Sequence, residues 1–322
     1  MGRHPQDQSG LVRAGSPRTT MRGGPAAPRV RALAAGLRRR VQPRARRSFV
    51  WLLRASLDAR DRWGDGYDPL LPPRRYGLPS SQIREVGERL VDEALIGIGG
   101  LQPHERVLDV GCGPGRIAAP LTRYLTAGSY EGFDVTPRSI RWNQRHITPR
   151  HSSFRFTQAD IHNPMYNPGG SQTGATFRFP YPGEYFDLSL ATSVYTHLRP
   201  YETANYLSET ARVMRPGGRI LNTFFLLNED AEQWLREGAR RPPMAGGAPL
   251  KLDFADVDPD GWRFRAANPD VPEHLIALYE EDVRRMYEEA RLEIDQILPG
   301  NWCGRPANPQ EFGQDLVVAR KG

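Results

Sequence analysis

The chain has 322 residues, of which 39% are hydrophobic, so it can bury the core of one large domain and is too apolar to be mostly disordered. No stretch reaches the roughly 18 consecutive apolar residues that a membrane-spanning helix needs. Its two cysteines, Cys112 and Cys303, are too few for a disulfide framework or a zinc site, and we predict no bound metal.

The net charge of +7 is concentrated at the start of the chain. Residues 1–47 contain twelve arginines and one acid, whereas the other 275 residues carry 32 bases and 36 acids. We interpret residues 1–62 as a basic tail that is disordered or amphipathic, and peripheral contact with a membrane through it is an open alternative. The stretch "RRSFVWLL" (46–53) imitates an export signal but has no cleavage site after it, so we predict a cytoplasmic protein.

Residues 63–322 alternate predicted helices and strands. In chain order, the apolar spacing predicts helix 80–96, strand 106–110, helix 116–125, strand 129–135, a helix from 136, strands 154–160 and 186–192, helix 200–214, strand 219–225, helix 273–290 and strands 292–298 and 315–319. Repeated strand–helix units are typical of an α/β fold, in which helices cover both faces of a parallel sheet. Residues 226–271 are too long for a simple connection, and we predict a lid-like insertion there.

The stretch "VLDVGCGPGR" (107–116) places Gly111, Gly113 and Gly115 directly after the first predicted strand. Glycine allows a sharp backbone turn and the close approach of a ligand. The spacing G-x-G-x-G differs from the G-x-G-x-x-G of dinucleotide sites. Because open α/β sheets bind ligands at the carboxyl ends of their strands, we expect the functional site at this turn.

Three carboxylates stand at the ends of the first three predicted strands: Asp109, Asp134 and Asp160. At such positions Asp109 can bind an α-ammonium group and Asp134 can accept both hydroxyls of a ribose. Asp160 can accept from an adenine amino group while the Ile161 amide faces a ring nitrogen. Each acid alone is equally consistent with a helix cap, but three of them beside one glycine turn favour a nucleoside ligand.

Five stretches between residues 101 and 225 carry a resemblance to a known family: "VLDVGCGPGR", "YEGFDVTPRSI", "ADI", "FDLSLATSVYTHL" and "ARVMRPGGRILNTFF". In order and spacing they resemble the successive motifs of class I S-adenosylmethionine-dependent methyltransferases, similar to the small-molecule and quinone-biosynthesis types. The resemblance implies a Rossmann-like, doubly wound, seven-stranded and mostly parallel sheet with an antiparallel last strand.

The same resemblance implies S-adenosyl-L-methionine as the cofactor. It places the glycine turn against the methionine portion, Asp134 with its neighbour Val135 at the ribose, and Asp160 with Ile161 at the adenine. Thr192, just past the fourth strand, would line the cofactor near its sulfonium. The implied reaction is methyl transfer to a small or mid-sized organic acceptor, and we predict a hydroxyl as the acceptor group.

A hydroxyl acceptor needs a proton acceptor, and His197 is the predicted general base because it follows the fourth strand on the ligand-facing edge. The alternative for His197 is a structural histidine bonded to the backbone. The segment 299–314 is expected to cross the same edge and to place Trp302 and Arg305 over the substrate, unless they pack in the core or pair with an acid. The aromatic-rich loop 161–185 is predicted to form a rim at this edge.

Two other functions can be checked by the sequence motifs that they require. A short-chain dehydrogenase needs a Tyr-x-x-x-Lys pair, but Gly247 and Val317 stand four residues before the two lysines. The stretch "NPMY" (163–166) resembles a motif of nucleic-acid amino-methyltransferases, but it follows the third strand and not the fourth. Two alternatives stay open, an RNA or protein methyltransferase aided by the basic tail and a non-catalytic cofactor-binding module. A small-molecule acceptor, not nucleic acid, is the expected partner, and the sequence predicts no oligomeric state.

Overall fold

Described residues in the computed structural model of the chain are 68–73, 80–237, 252, 254–258, 260–305 and 313–322. The predicted basic tail, residues 1–62, lies outside them, and so do all of residues 238–251 within the predicted insertion. The tail therefore stays a prediction.

Six α-helices and eleven strands occur among the described residues. The helices are α1 (Ser80–Arg89), α2 (Ala118–Tyr124), α3 (Pro137–His146), α4 (Pro200–Val213), α5 (Glu229–Arg236) and α6 (Glu280–Glu289). The strands are β1 (Arg106–Val110), β2 (Ser129–Asp134), β3 (Phe154–Gln158), β4 (Phe186–Ala191), β5 (Met214–Phe224), β6 (Leu226–Leu227), β7 (Phe254–Val257), β8 (Arg263–Ala266), β9 (Ile276–Tyr279), β10 (Leu292–Leu298) and β11 (Asp315–Lys321). No helix in these ranges has the length and apolar character needed to cross a bilayer.

Seven of the described strands form a central sheet with the order β10-β11-β5-β4-β1-β2-β3. Strands β1 to β5 pair in parallel, while β11 runs antiparallel to both β5 and β10. The predicted doubly wound, mostly parallel sheet with an antiparallel last strand is confirmed. In the middle of the sheet β4 is buried along its whole length, as expected for a parallel strand covered on both faces.

Two apolar layers sandwich the central sheet, because neighbouring side chains on a strand point to opposite faces. Val107 of β1 packs in the layer beneath α1, α2 and α3, which also contains Ile140. Its neighbour Leu108 packs in the other layer, with Leu207 of α4 and Met286 of α6. Helix α1 continues into a nine-residue π-helical stretch, Leu90–Ile98, so the predicted helix 80–96 is one continuous helical segment.

The prediction of one helix over 273–290 is wrong in its first half. Pro272–His274 forms a single 3-10 turn, Ile276–Tyr279 is strand β9, and α6 begins at Glu280. The residues of β9 form a short continuous apolar run, which does not by itself distinguish a strand from a buried helix, and they pair with β6 on one side and β8 on the other. Three acids, Glu280 to Asp282, then mark the true helix start, where negative charge is favoured.

Strands β6, β9, β8 and β7 form a small sheet in that order. The predicted insertion, 226–271, thus supplies helix α5 and three of these strands in its described part. Strand β5 also differs from the prediction, because it begins at Met214 and continues through the "RPGG" bend that was expected to precede it. The pairing of β4 with β5 has a register shift between Phe186 and Leu188, which accommodates this bend.

Phe264 on β8 tests whether the small sheet belongs to the cooperative fold. Its side chain is 1% exposed and stands opposite Leu278 of β9. We expect Phe264→Ala to lower the free energy of unfolding by about 3–5 kcal/mol in urea denaturation, because truncation leaves a cavity. The control is Val257→Ala on β7, whose side chain is 55% exposed and whose change should stay within about 0.5 kcal/mol. Equally small effects in both variants would contradict this packing.

Candidate active site

A cavity of about 420 Å³ opens at the carboxyl ends of strands β1 to β4. Its volume is within the roughly 300–1,000 Å³ of small-molecule sites. It lies beside β1 and β4, where the strand order of the central sheet reverses and open α/β sheets bind their ligands. Six of the predicted site residues line it, namely Gly111, Gly113, Asp134, Val135, Ile161 and His197.

The glycine turn forms one wall of this cavity, and each glycine has a positive φ angle. A Cβ atom on Gly111 would stand 2.5 Å from the Val194 side chain, so the turn has no room for one there. A Cβ atom on Gly113 would meet no atom within 4 Å, which leaves the backbone open to a ligand. At Gly115 a Cβ atom would lie within 2.8 Å of side chains at the end of α3. Gly115 does not line the cavity, and its role is to let the turn pack on α3.

Asp134 connects the turn to the end of β2. One carboxylate oxygen accepts the Gly113 amide at 2.8 Å, and the other accepts the Thr136 amide at 2.7 Å. Burial raises the pKa of Asp134, and these amide hydrogen bonds oppose that rise. A carboxylate has about four lone-pair sites, so both oxygens keep capacity for ligand hydroxyls. Asp134 is thus held rigidly with its remaining acceptor capacity beside the cavity.

Asp109 does not line the cavity, contrary to the prediction that it binds a ligand. It lies within β1, and its carboxyl is buried and accepts the Tyr130 hydroxyl of the adjacent strand at 2.5 Å. Burial raises the pKa of Asp109 to about 7, while the Tyr130 hydrogen bond and the Arg116 charge oppose the rise. The last residue of β1 is Val110, so Asp109 stands one position before the strand end.

Asp160 also differs from its predicted role. Its carboxylate accepts the Ser171 hydroxyl at 2.6 Å and the Asn167 amide at 3.3 Å, both from the loop that follows β3. These bonds lower the pKa of Asp160. The carboxylate orders the loop and does not line the cavity, whereas the next residue, Ile161, does.

Thr192 faces away from the cavity. Its hydroxyl accepts from the Arg116 guanidinium at 3.3 Å, and its side chain borders a small apolar gap beneath the π-helical stretch. The two residues after it, Ser193 and Val194, line the cavity in its place. The prediction identified the correct strand end and missed the position by one residue.

Trp302 and Arg305 do not line the cavity, and their contacts agree with the alternative that they pack in the core and pair with an acid. The Trp302 indole is buried against Phe225 and donates to Asp315 at 2.6 Å. Arg305 forms ion pairs with Asp230 at 2.6 Å and with Asp315 at 3.3 Å. A buried carboxylate is costly without donors, and both side chains satisfy Asp315 at the start of β11.

The aromatic loop 161–185 is divided between site and core. Tyr166 lines the cavity, with 43% of its surface exposed. Phe177, Phe179 and Tyr181 pack around Phe133, with ring centroids 4.7–6.4 Å from it. The predicted aromatic rim is therefore one tyrosine at the cavity and a cluster of core rings behind it.

His197 ends a 3-10 turn, Tyr195–His197, that follows β4. Its Nδ1 atom lies 3.0 Å from the carbonyl oxygen of Glu273. Because a carbonyl oxygen only accepts, we assign the ring proton to Nδ1, so Nε2 carries a lone pair. The Tyr166 hydroxyl donates to Nε2 at 3.4 Å, and burial lowers the pKa of His197. A neutral imidazole with an accepting nitrogen at the cavity meets the requirements of a general base.

Other polar side chains of the cavity were not predicted from the sequence. His162 and Asn163 directly follow Ile161 and line the cavity with it. The Asn163 side chain accepts the Tyr166 amide at 3.1 Å and so holds that tyrosine in place. Glu202, whose pKa is raised by burial, completes this wall. His162 and Asn163 could have been predicted, because they closely follow the end of the third predicted strand. Glu202 could not, because its position in the first turn of a helix indicates only a helix cap.

Asp109→Asn tests the burial of that carboxyl. The pKa of Asp109 rises from 3.8 to about 7 on folding, so the folded state binds its proton more tightly. The resulting stabilisation is complete below about pH 4 and is lost as the pH rises to about 7. We expect the wild-type free energy of unfolding, relative to Asp109→Asn, to fall by about 1.4 kcal/mol per pH unit between about pH 5 and pH 6.5. A constant difference in urea denaturation across this range would contradict the assignment.

Comparison with known proteins identifies the domain around this site. Residues 107–218 match the family model described as "Methyltransferase domain". Over 139 residues the chain is 32% identical to phthiotriol/phenolphthiotriol dimycocerosates methyltransferase 1 of Mycobacterium ulcerans, covering 43% of this chain and 44% of that protein. Over 140 residues it is 32% identical to the fatty-acid O-methyltransferase of Mycolicibacterium smegmatis, covering 43% of each protein.

The match spans less than half the length of these relatives. Among solved structures, a SAM-dependent methyltransferase from Aquifex aeolicus is similar with a TM-score of 0.45 and 15% identity, over 79% of this chain and 98% of that one. The matched residues run from β1 into β5 and include the glycine turn, Asp134 and His197. Residues 107–218 thus match the model of a methyltransferase domain, and the central sheet has the seven-stranded, mostly parallel arrangement that the sequence resemblance implied.

Proposed function

We propose that the protein transfers a methyl group from S-adenosylmethionine to a hydroxyl of a mid-sized, lipid-like acceptor, with His197 as the general base. The observation that carries the proposal is the position of the His197 Nε2 atom. His197 lines the same cavity as the glycine turn and Asp134, and its Nε2 atom lies 3.4 Å from the hydroxyl of Tyr166, which also lines that cavity. The cytoplasmic location and the membrane contact of residues 1–62 stay predictions.

The residues of the cavity fit this cofactor. Gly113 leaves its backbone open on the cavity side, and Asp134 keeps lone pairs for two ribose hydroxyls. Val135 and Ile161 provide apolar surface beside Asp134 for an adenine ring. When bound, S-adenosylmethionine supplies a methyl group attached to a positively charged sulfur, and the protein must align an acceptor with it.

A hydroxyl acceptor must lose a proton as its oxygen bonds to the methyl carbon. The His197 Nε2 atom takes that proton, and the Glu273 carbonyl, which accepts from Nδ1, stabilises the imidazolium that results. The acceptor hydroxyl takes the place of the Tyr166 hydroxyl at Nε2. An ionised carboxylate acceptor would need no base, so an accepting Nε2 atom at the cavity favours a hydroxyl acceptor.

The acceptor class is supported by the relatives and by the cavity mouth. The names of both relatives describe lipid acceptors, dimycocerosates and a fatty acid. In this chain two consecutive apolar residues, Met165 and Tyr166, are 41% and 43% exposed, and Tyr166 and the buried Leu198 line the cavity. A lipid-like chain can cover such exposed apolar surface when it enters.

Gly113→Val tests the cofactor site. A side chain at this position would project from the cavity wall, so we expect no measurable binding of S-adenosylhomocysteine in isothermal titration. Gly217→Val is a matched control, because Gly217 also has a positive φ and open space at Cβ but lies in the β5 bend. It should bind as the wild type does. Preferential binding of NAD, or equal loss in both variants, would contradict the proposed cofactor.

His197→Gln tests the base. With radiolabelled cofactor and a panel of long-chain alcohols and phenolic lipids, we expect the single-turnover rate to fall by roughly 100- to 10,000-fold, the usual contribution of a general base. Cofactor affinity should not change, because His197 is on the acceptor side. Tyr166→Phe serves as the control, since it removes the hydroxyl that the acceptor replaces and should retain turnover.

The same assay distinguishes the alternatives. Wild-type turnover in His197→Gln would overturn its role as the base. Methylation of RNA or protein instead of the lipid panel would favour an RNA or protein methyltransferase. Cofactor binding without methylation of any of these acceptors would favour a binding module.

A further inference from the structure

Glu273 contacts the His197 side chain and the Arg199 side chain through different atoms. Its backbone carbonyl accepts from His197 Nδ1 at 3.0 Å, and its carboxylate pairs with Arg199 Nε at 2.6 Å. His197 and Arg199 are two residues apart in the chain. The contacts therefore form a closed ring, in which one residue fixes both the imidazole and the backbone that carries it.

Glu273 comes from the small sheet, in the turn Pro272–His274 between β8 and β9. The turn is closed by backbone hydrogen bonds from His274 to Val271 and from Leu275 to Pro272, both 3.0 Å. Its carboxylate is largely buried, so it needs a charged partner to remain there. Arg199 is that partner, and the ion pair holds the whole turn, including the carbonyl that faces His197.

The start of α4 fixes Arg199 in turn. The Arg199 amide donates to the Glu202 carboxylate at 3.0 Å, and the Tyr201 amide donates to Asp258 at 3.0 Å. Asp258 follows β7, so the small sheet contacts the start of α4 at a second point. Glu202, Asp258 and Glu273 all lie at the helix N-terminus, where the helix dipole favours negative charge. The segment between His197 and Tyr201 is thus held from two sides.

We infer that Arg199 and Glu273 are positioning residues that hold His197 with its proton on Nδ1 and its Nε2 atom free to accept a proton. The inference rests on the proposed role of His197 as the base. Neither residue lines the cavity, so each acts through the imidazole. The groups that face the imidazole are the Tyr166 hydroxyl, the Glu273 carbonyl and His274.

Nitrogen NMR of the full chain, labelled with ¹⁵N in histidine, tests the inference, because a ring nitrogen with a proton and one without resonate at different frequencies. The spectrum of His197→Gln assigns the signal of His197 among the seven histidines. In the wild type at neutral pH we expect the Nδ1–H tautomer alone. In Arg199→Gln and Glu273→Gln we expect a mixture of tautomers. Methyl transfer should slow by roughly ten- to a hundredfold with unchanged cofactor affinity, as for a displaced catalytic group.

Arg263→Gln is the matched control. Arg263 pairs with Asp282 at 3.1 Å on the small sheet, outside the cavity, so this variant should keep the wild-type spectrum and rate. A wild-type His197 with its proton on Nε2 would overturn the inference, and so would an unchanged tautomer in both test variants. If Arg199→Gln fails to fold, Arg199→Lys and Glu273→Gln carry the test. The spectrum is recorded without an acceptor, so its outcome is independent of turnover in His197→Gln.

Discussion

Three successive amides of the glycine turn donate to the end of β2, and the rest of the site depends on this interaction. Gly111 and Cys112 donate to the Phe133 carbonyl at 2.9 and 3.0 Å, and Gly113 donates to the Asp134 carboxylate at 2.8 Å. The turn between β1 and α2 is thereby attached to the neighbouring strand. The same bonds orient Asp134 and keep the positive φ angles that leave the cavity wall free of side chains. A buried backbone amide without a partner would cost stability, so the turn has little freedom to adopt another shape.

Most of the central sheet could be predicted because its strands are short apolar runs that end at glycine, proline or an acid. Parallel strands are buried on both faces, so their composition alone distinguishes them from the helices between them. The exception, β9, is a short continuous apolar run that was assigned to the following helix, and the partners that make it a strand lie in β6 and β8. Whether such a stretch becomes a helix or a strand depends on pairing with distant segments, and the local sequence pattern carries no information about that pairing.

The candidate site was predictable to the level of the strand ends and less so to the level of single side chains. Of the residues expected at the carboxyl edge, Gly113, Asp134 and His197 line the cavity there. Asp109 stands one residue before the end of β1 and Thr192 one residue after the end of β4, and their side chains bond to other partners. A buried polar group takes the nearest donor or acceptor, and for these residues it comes from Tyr130 or Arg116. Those partners are defined by the folded sheet, which is why the sequence does not reveal them.

The residues around the cavity and the residue that contacts the Nδ1 atom of His197 come from two separate stretches of the chain. The glycine turn, Asp134 and Ile161 belong to the first three strand–loop units, whereas Glu273, whose carbonyl contacts His197, lies in a turn of the small sheet more than a hundred residues later. On the proposed function, a substitution at Glu273 changes how the base is held and leaves the residues of the methyl-donor site intact. The base and the donor site can therefore vary independently of each other.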